Sequence, residues 1–316
     1  MPVVGIDLGG TKVFGALVDA TQTGLGAVLA DAKSATPDDG VDSVLDAVVD
    51  LVRSLDPTPE AVGIGTPGVV EPGTGRVLLA PNLSGFDQPV DVGRLLGERL
   101  GCEVVVGNDV NVAALGEVRA GAGAGHDDVL AVWLGTGLGA GLVLDGRLRV
   151  GPHGLAGELG HAVVVPDGRR CGCGGRGHLE AYIGRRALEV RARELHAEGR
   201  TTELVELAGD APMKSKVFRT AYDAGDEVAR ELLDEGIRHL GTAVVNVAVT
   251  VDIDAVVVGG GLGERFGAIV TERVAASLRT LGFAGVRPVV VEAVLGDHAG
   301  ALGAARLAVE TGRKSA

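Results

Sequence analysis

A glycine-broken strand pair that occurs twice constrains this chain more than any other feature. Val3-Val4-Gly5-Ile6-Asp7-Leu8 is short and apolar, breaks at Gly9-Gly10-Thr11-Lys12, and resumes from Val13 to Val18. Leu130-Ala131-Val132-Trp133-Leu134 breaks at Gly135-Thr136-Gly137-Leu138-Gly139 and resumes from Ala140 to Leu144. At one constant offset Gly9 meets Gly135, Leu17 meets Val143 and Asp19 meets Asp145. Each segment reads as strand, glycine turn, strand. Their repetition predicts two related halves, and 316 residues leave room for two domains.

The remaining pattern alternates strands and helices, which reads as an α/β fold. Strands are expected at 25–30, 61–65, 103–106, 254–258 and 288–292. Apolar residues at 41, 44, 45, 48, 51, 52 and 55 have helical spacing. Further helices are expected over 92–100, from 109 to about 120, over 179–197, 223–249, 264–281 and 300–310, with 201–215 irregular. Aromatic residues make up only 3% of the chain, so its cores must be built from Val, Leu, Ile and Ala. The 52 glycines read as backbone-built binding loops.

Both glycine turns suit phosphate. Without side chains the backbone approaches closely, and its N–H groups can form an anion nest. Gly9, Gly10, Thr11 and Lys12 form one candidate; Gly135, Thr136 and Gly137 form the other. Either alone also reads as a plain tight turn. Neither matches the Walker pattern. Asp7 ends the first strand, well placed for Mg²⁺ or its water shell. Gly259-Gly260-Gly261 lies between a strand and a helix, and would let a flat ligand such as adenosine lie on backbone. A simple strand-to-helix turn would look the same.

Two cysteines and two histidines crowd one glycine-rich stretch: His161, Cys171, Cys173 and His178. Four nitrogen and sulfur ligands make a closed, structural zinc site. Little in this loop is apolar, so a metal would fix a shape that burial cannot. Cys-x-Cys taken alone would fit ordinary thiols equally well. Glu158 stands three residues before His161 and Glu180 two after His178, so the metal would hold two carboxylates and an imidazole toward a common space. Asp109 follows a strand and opens a helix. Asn108 or Asp109 would serve there as N-cap. Asp109 would equally serve as the general base that takes a proton from an attacking hydroxyl in a phosphoryl transfer.

A net charge of −13 argues against nucleic acid or an anionic membrane as partners. Three cysteines fit a reduced, cytoplasmic compartment. No apolar run approaches the length of a membrane span. Val3 begins an apolar strand with no charged leader before it, so no signal peptide is expected.

Seven ordered motifs together resemble the sugar kinases of the ROK (repressor, open reading frame, kinase) family, within the actin-like ATPase superfamily. They are Asp7-Leu8-Gly9-Gly10-Thr11-Lys12, Pro81-Asn82-Leu83, Asn108-Asp109-Val110-Asn111, Leu134-Gly135-Thr136-Gly137-Leu138-Gly139, Gly157-Glu158-Leu159-Gly160-His161, the Cys171/Cys173 loop with Glu180, and Gly259-Gly260-Gly261. The resemblance implies an actin-like (ribonuclease H-like) fold of two α/β domains, each on a mixed five-stranded sheet, with a cleft between them. The domains are expected at 1–116 plus 300–316, and at 117–299 with the zinc loop and the adenosine site. It implies Mg-ATP as the donor complex and a structural Zn²⁺. Asp109 would be the base for a hexose 6-hydroxyl. Asn82, Asn108, Glu158, His161 and Glu180 would hold the sugar hydroxyls, with one His161 nitrogen on zinc and the other on the sugar.

A glucokinase is the leading reading. N-acetylglucosamine, N-acetylmannosamine, mannose or fructose as substrate, polyphosphate as donor, and a non-catalytic sugar sensor are the alternatives. The family's usual third loop cysteine is His178 here, which zinc accepts; His153 is a second candidate for that place. The family's repressors carry a DNA-binding domain ahead of the first strand, and none is expected before Val3. A homodimer or homotetramer is expected.

Overall fold

The computed structural model describes residues 2–20, 25–285 and 287–312. The chain begins β1 (Pro2–Leu8), β2 (Lys12–Ala20), β3 (Leu25–Ala35), α1 (Val41–Leu55), β4 (Ala61–Thr66), β5 (Val69–Glu71), β6 (Arg76–Leu79), α2 (Val92–Leu100), β7 (Glu103–Asn108) and α3 (Asp109–Ala120). It continues with β8 (Val129–Leu134), β9 (Leu138–Leu144), β10 (Arg147–Arg149), a 3₁₀ turn (Leu159–His161), α4 (Glu180–Ile183), α5 (Arg185–Ala197), α6 (Glu203–Ala208), α7 (Ser215–Ala224), α8 (Glu227–Val251), β11 (Ala255–Gly259), α9 (Gly260–Leu281), β12 (Val289–Glu292) and α10 (His298–Gly312). Among the described residues, no helix is long and apolar enough to cross a membrane.

Two five-stranded sheets share one topology. Their orders are β3-β2-β1-β4-β7 and β10-β9-β8-β11-β12. In the first, β1 pairs antiparallel with β2 and parallel with β4. In the second, β11 runs parallel with both β8 and β12. The internal repeat read from the glycine turns is thus a repeat of whole sheets. The chain divides into two compact units, one of residues 1–127, 141–157 and 294–316, the other of 128–140 and 158–293. The boundaries expected from the sequence differ from this division over 117–127, 141–157 and 294–299.

In the first unit, alternation along β1 and β2 sends side chains to both faces of the sheet. Val4, Ile6, Leu8 and Val13 pack with the buried α1 face of Val44, Leu45, Val48, Leu51 and Val52. Val3, Phe14, Ala16 and Val18 pack with Ala301, Leu302, Ala305 and Ala308 of α10. That second face is unusually close. A Cβ on Gly5 would stand 1.9 Å from the Ala301 carbonyl oxygen, and one on Gly63 1.8 Å from that of Ala304. Gly303 lies on α3, where a Cβ would come 1.6 Å from the Val112 oxygen. Here glycine lets a helix rest directly on the backbone of a sheet and of a second helix. Many of the glycines therefore serve packing rather than the binding loops that composition alone pointed to.

In the second unit β11 is buried along its whole length, beneath α9 residues Leu262, Phe266, Val270 and Val274. Three expectations are corrected here. The helix expected over 179–197 breaks at Gly184 into α4 and α5. The segment 201–215 contains α6, capped by Thr202, whose Oγ1 accepts from the Leu204 N–H at 3.2 Å. The long helix expected from 223 starts at Glu227: α7 ends at Gly225 with φ 93°, and the Asp226 side chain caps α8.

A Gly303→Ala substitution is expected to lower the midpoint of thermal unfolding by more than 5 °C or abolish folding, through the clash with the Val112 carbonyl. Gly135→Ala, where an added Cβ has nothing within 4 Å, should shift it by less than 2 °C. Circular dichroism melts of both variants check this.

Candidate functional site

The first unit carries Asp7, the Gly9–Lys12 turn, Asn82, Asn108 and Asp109. The turn is closed by the Gly9 N–H donating to the Lys12 oxygen at 2.9 Å, and the Thr36 hydroxyl donates to the Gly9 oxygen at 2.6 Å. Gly10 lies against the Asn82 loop, where a Cβ would sit 2.6 Å from the Asn82 oxygen. Asn82 itself is exposed. Lys12 Nζ contacts Asp297 Oδ2 at 2.8 Å, and this partnership pulls the Asp297 carboxyl below its ordinary range. The sequence reading missed Asp297; its place between Gly296 and the α10 N-terminus was the available signal.

Asn108 and Asp109 divide the roles that the sequence left open. Asn108 is the N-cap of α3, its Oδ1 accepting from the Asn111 N–H at 3.1 Å. Its amide donates to the Gly68 oxygen at 3.0 Å. Asp109 is the first helical residue, with Oδ1 accepting from the Val110 N–H at 2.8 Å. Asp7, the last residue but one of β1, lies beside Gly300, where a Cβ would come 2.7 Å from the Asp7 Cγ. Burial pushes the Asp7 carboxyl up to about 7, the charge of Asp109 adding to the shift, Lys12 opposing it and Asp297 adding again. Crowding of two partly buried carboxylates disfavours the charged form in this way.

The second unit carries the Gly135–Gly137 turn, Glu158, His161, the cysteine loop, Glu180 and Gly259–Gly261. The Gly135 N–H donates to the Gly137 oxygen at 3.0 Å. Glu180 Oε2 accepts from the Leu138 N–H at 3.0 Å, and Gly137 is bare where a Cβ would meet that oxygen at 2.2 Å. Arg185 Nη2 donates to the Thr136 hydroxyl at 2.9 Å. Arg185 is a second residue that sequence reasoning missed, since it lies on α5 far along the chain. Gly260 has φ 81° and lies on the end of β8, where a Cβ would stand 2.7 Å from the Leu134 oxygen. Gly259 caps α9 without a side chain.

His161, Cys171, Cys173 and His178 come together, with their ligand atoms all within 4.8 Å of one another. Cys171 Sγ is 3.9 Å from His161 Nδ1, and Cys173 Sγ is 3.2 Å from His178 Nδ1. Tetrahedral bonds of the usual zinc lengths put ligand atoms roughly 3.4–3.8 Å apart, so these four can hold a metal. His153 is not among them. Glu158 and His161 flank the 3₁₀ turn, so their spacing of three brings His161 Nε2 to 3.8 Å from Glu158 Oε2 while Nδ1 faces the cysteine. Cys171 is buried and donates to Glu180 Oε1 at 3.5 Å. Burial pushes its thiol up to about 11, with the Glu180 and Cys173 charges contributing. A bound cation would displace that proton.

The chain matches the ROK family over residues 3–311, and it belongs to that family. It is 37% identical to the glucokinase of Streptomyces coelicolor, with 97% of each chain covered. It is 32% identical to the N-acetylmannosamine kinase of Escherichia coli O1:K1 / APEC over 83% of this chain and 84% of that one. The ROK family glucokinase of Streptomyces griseus, solved in complex with glucose and AMPPNP, superimposes with a TM-score of 0.79 at 36% identity, covering 98% of this chain and 100% of the other. The fold is therefore the actin-like ATPase fold expected from the motifs, and the chain is a sugar kinase of the hexokinase and glucokinase type.

Asp7 gives a pH dependence with a definite sign. Its folded carboxyl titrates near 7 and its unfolded one near 3.8, so the charged form costs the folded state stability as pH rises between those values. In the absence of divalent cations, Asp7→Asn should melt a few degrees higher than the parent at pH 8 and at the same temperature at pH 3.5. A variant that gains nothing at pH 8 would show that Asp7 is not held at a cost.

Proposed function

We propose that this chain transfers the γ-phosphoryl group of ATP to the 6-hydroxyl of glucose, with Asp109 as general base. The observation that carries this reading is the division of labour at the start of α3. Asn108 takes the cap, and the next carboxylate, which accepts from the Val110 N–H, stands near enough to Asp7 to raise that residue's affinity for protons. The likeness to the glucokinases supports glucose as the hexose.

In this reading Asn82, Asn108, Glu158, His161 and Glu180 hold the sugar hydroxyls. Asp109 accepts the 6-hydroxyl proton as that oxygen attacks the γ-phosphorus, and the bond to the β-phosphate oxygen breaks to release ADP. Gly9, Gly10, Thr11 and Lys12, with Gly135, Thr136 and Gly137, offer backbone N–H groups and one ammonium to the phosphates. Gly259, Gly260 and Gly261 offer a bare surface to adenosine. Mg²⁺, when bound with the nucleotide, neutralises phosphate charge, and the buried Asp7 is the residue to face it. Zinc is the metal that two thiolates and two imidazoles select. It would hold His161 through Nδ1 and leave Nε2 for the sugar. The relation to an N-acetylmannosamine kinase favours that sugar as the second reading.

Sugar-dependent ADP formation across glucose, mannose, fructose, N-acetylglucosamine and N-acetylmannosamine should give the highest kcat/KM with glucose. Asp109→Asn should lower kcat by about 10²–10⁴, with the Kd for glucose changed less than threefold. Full turnover in that variant would remove Asp109 from the base role, and a higher kcat/KM with N-acetylmannosamine would replace glucose. Elemental analysis should find one zinc per chain, falling below one fifth in Cys173→Ser; equal metal in both would sink the zinc assignment.

A further inference from the structure

Glu117 is the one fully buried carboxylate among the described residues, with no solvent exposure at all, and the phosphoryl transfer proposed above makes no use of it. It lies near the end of α3 and both of its oxygens accept backbone hydrogen bonds. Oε2 accepts from the Ala122 N–H at 2.8 Å. Oε1 accepts from the Val294 N–H at 3.0 Å and the Leu295 N–H at 2.9 Å. Gly121 gives it room, since a Cβ there would stand 2.0 Å from Oε2. Satisfying a buried carboxylate with three N–H groups is the condition under which such a group is tolerated.

The three donors have a common position in the chain. Ala122 belongs to the turn that leads out of the first unit after Asp127, and Val294 is the residue at which the chain returns to it. The passage at the return is abrupt. Ala293 N–H donates to Val258 in the second unit at 2.8 Å, and the next N–H donates to Glu117 in the first. The passage at the exit is equally abrupt. The Asp127 oxygen accepts from Gly146 in the first unit at 2.9 Å, and the Asp128 oxygen from Asp254 in the second at 2.8 Å. Glu117 therefore grips, from the first unit, two of the four segments by which the chain passes between units.

The same grip reaches the site. Asp109 stands at the other end of α3. Val294 and Leu295 lead directly into Asp297, which holds Lys12, and into Gly300, which lies on Asp7. We infer that Glu117 is a positioning residue for phosphoryl transfer: it fixes the end of α3 to the lead-in of α10, and so holds Asp109, Asp7 and Lys12 in one register. This rests on the role proposed for Asp109 above, but its structural half is testable without it.

Glu117→Gln keeps the shape and sets an amide N–H₂ against backbone donors. In folded Glu117→Gln, the separate Kd values for glucose and for the non-hydrolysable nucleotide AMPPNP should stay within threefold of the parent while kcat falls at least tenfold. Unchanged kcat would overturn the inference, and so would Kd values that weaken as much as kcat falls, the mark of a general loosening. Hydrogen exchange in the parent protein covers the case in which the variant does not fold. The Ala122, Val294 and Leu295 amides should exchange at least a hundredfold more slowly than the amide of Gly73 in an exposed turn; equal rates would mean the grip does not exist. If the amides are protected and kcat falls but Asp109→Asn remains active, the positioning stands and the assignment of the base fails.

Discussion

Contact of backbone with backbone, where α10 rests on β1, β4 and α3, is the constraint on which the first unit depends. Side chains normally keep a helix about 10 Å from a sheet, and here glycines at 5, 63 and 303 remove that spacing. The distance leaves no slack. α10 can occupy one register along β1, set by which residue faces which carbonyl, because a shift by one residue would bring alanine methyls onto backbone. A core of alanines and valines could otherwise slide, since small apolar side chains interlock weakly. Glycine contact thus gives positional precision to a chain that has few aromatic residues to supply it.

The site inherits that precision. Gly300, in the first turn of the same helix, is what Asp7 lies against, and Asp297 just ahead of that helix engages Lys12. The second unit reaches a comparable result by other means. There Glu180 is the joint, with one oxygen on the Leu138 N–H beside the glycine turn and the other on the Cys171 thiol. In both units a glycine turn touches a residue assigned to the sugar: Gly10 meets Asn82, and Gly137 meets Glu180. A Cβ at Gly10 or at Gly137 would push the turn and that neighbouring residue apart. Bare glycine at these two positions therefore admits a polar neighbour against the turn in each unit.

Much of this was legible in the sequence, for a physical reason. The glycine turns, the Cys-x-Cys loop and the apolar strands are local patterns, and local patterns carry their own constraints on backbone and ligand geometry. Their repetition disclosed the paired sheets because each strand order follows from two successive hairpins and two crossovers. What stayed hidden depends on distant partners. Nothing near Gly303 announces that Val112 will sit on it, and nothing near Arg185 announces Thr136. The helix breaks at Gly184 and Gly225 were missed because a single glycine does not by itself end a helical pattern. The capping of α3 was undecidable from Asn108-Asp109 alone, since both side chains are good caps and only the backbone turn selects one.

Two acidic residues of the first unit show how burial separates structure from chemistry. Glu117 is enclosed by three backbone N–H groups, so both of its oxygens are satisfied within the chain. Asp7 is enclosed by burial, by Asp109 and by Asp297, with Lys12 in opposition, so its charge is held at a cost and the carboxyl retains a proton up to about 7. A fold keeps a satisfied carboxylate because losing it leaves three donors stranded. It keeps an opposed one only if something outside the chain relieves the opposition. On the reading proposed above, a cation arriving with a polyphosphate would do so by lowering the cost of the charge on Asp7. On that same reading, the opposition to charge at Asp7 in the free protein would be part of how the phosphate complex is recognised.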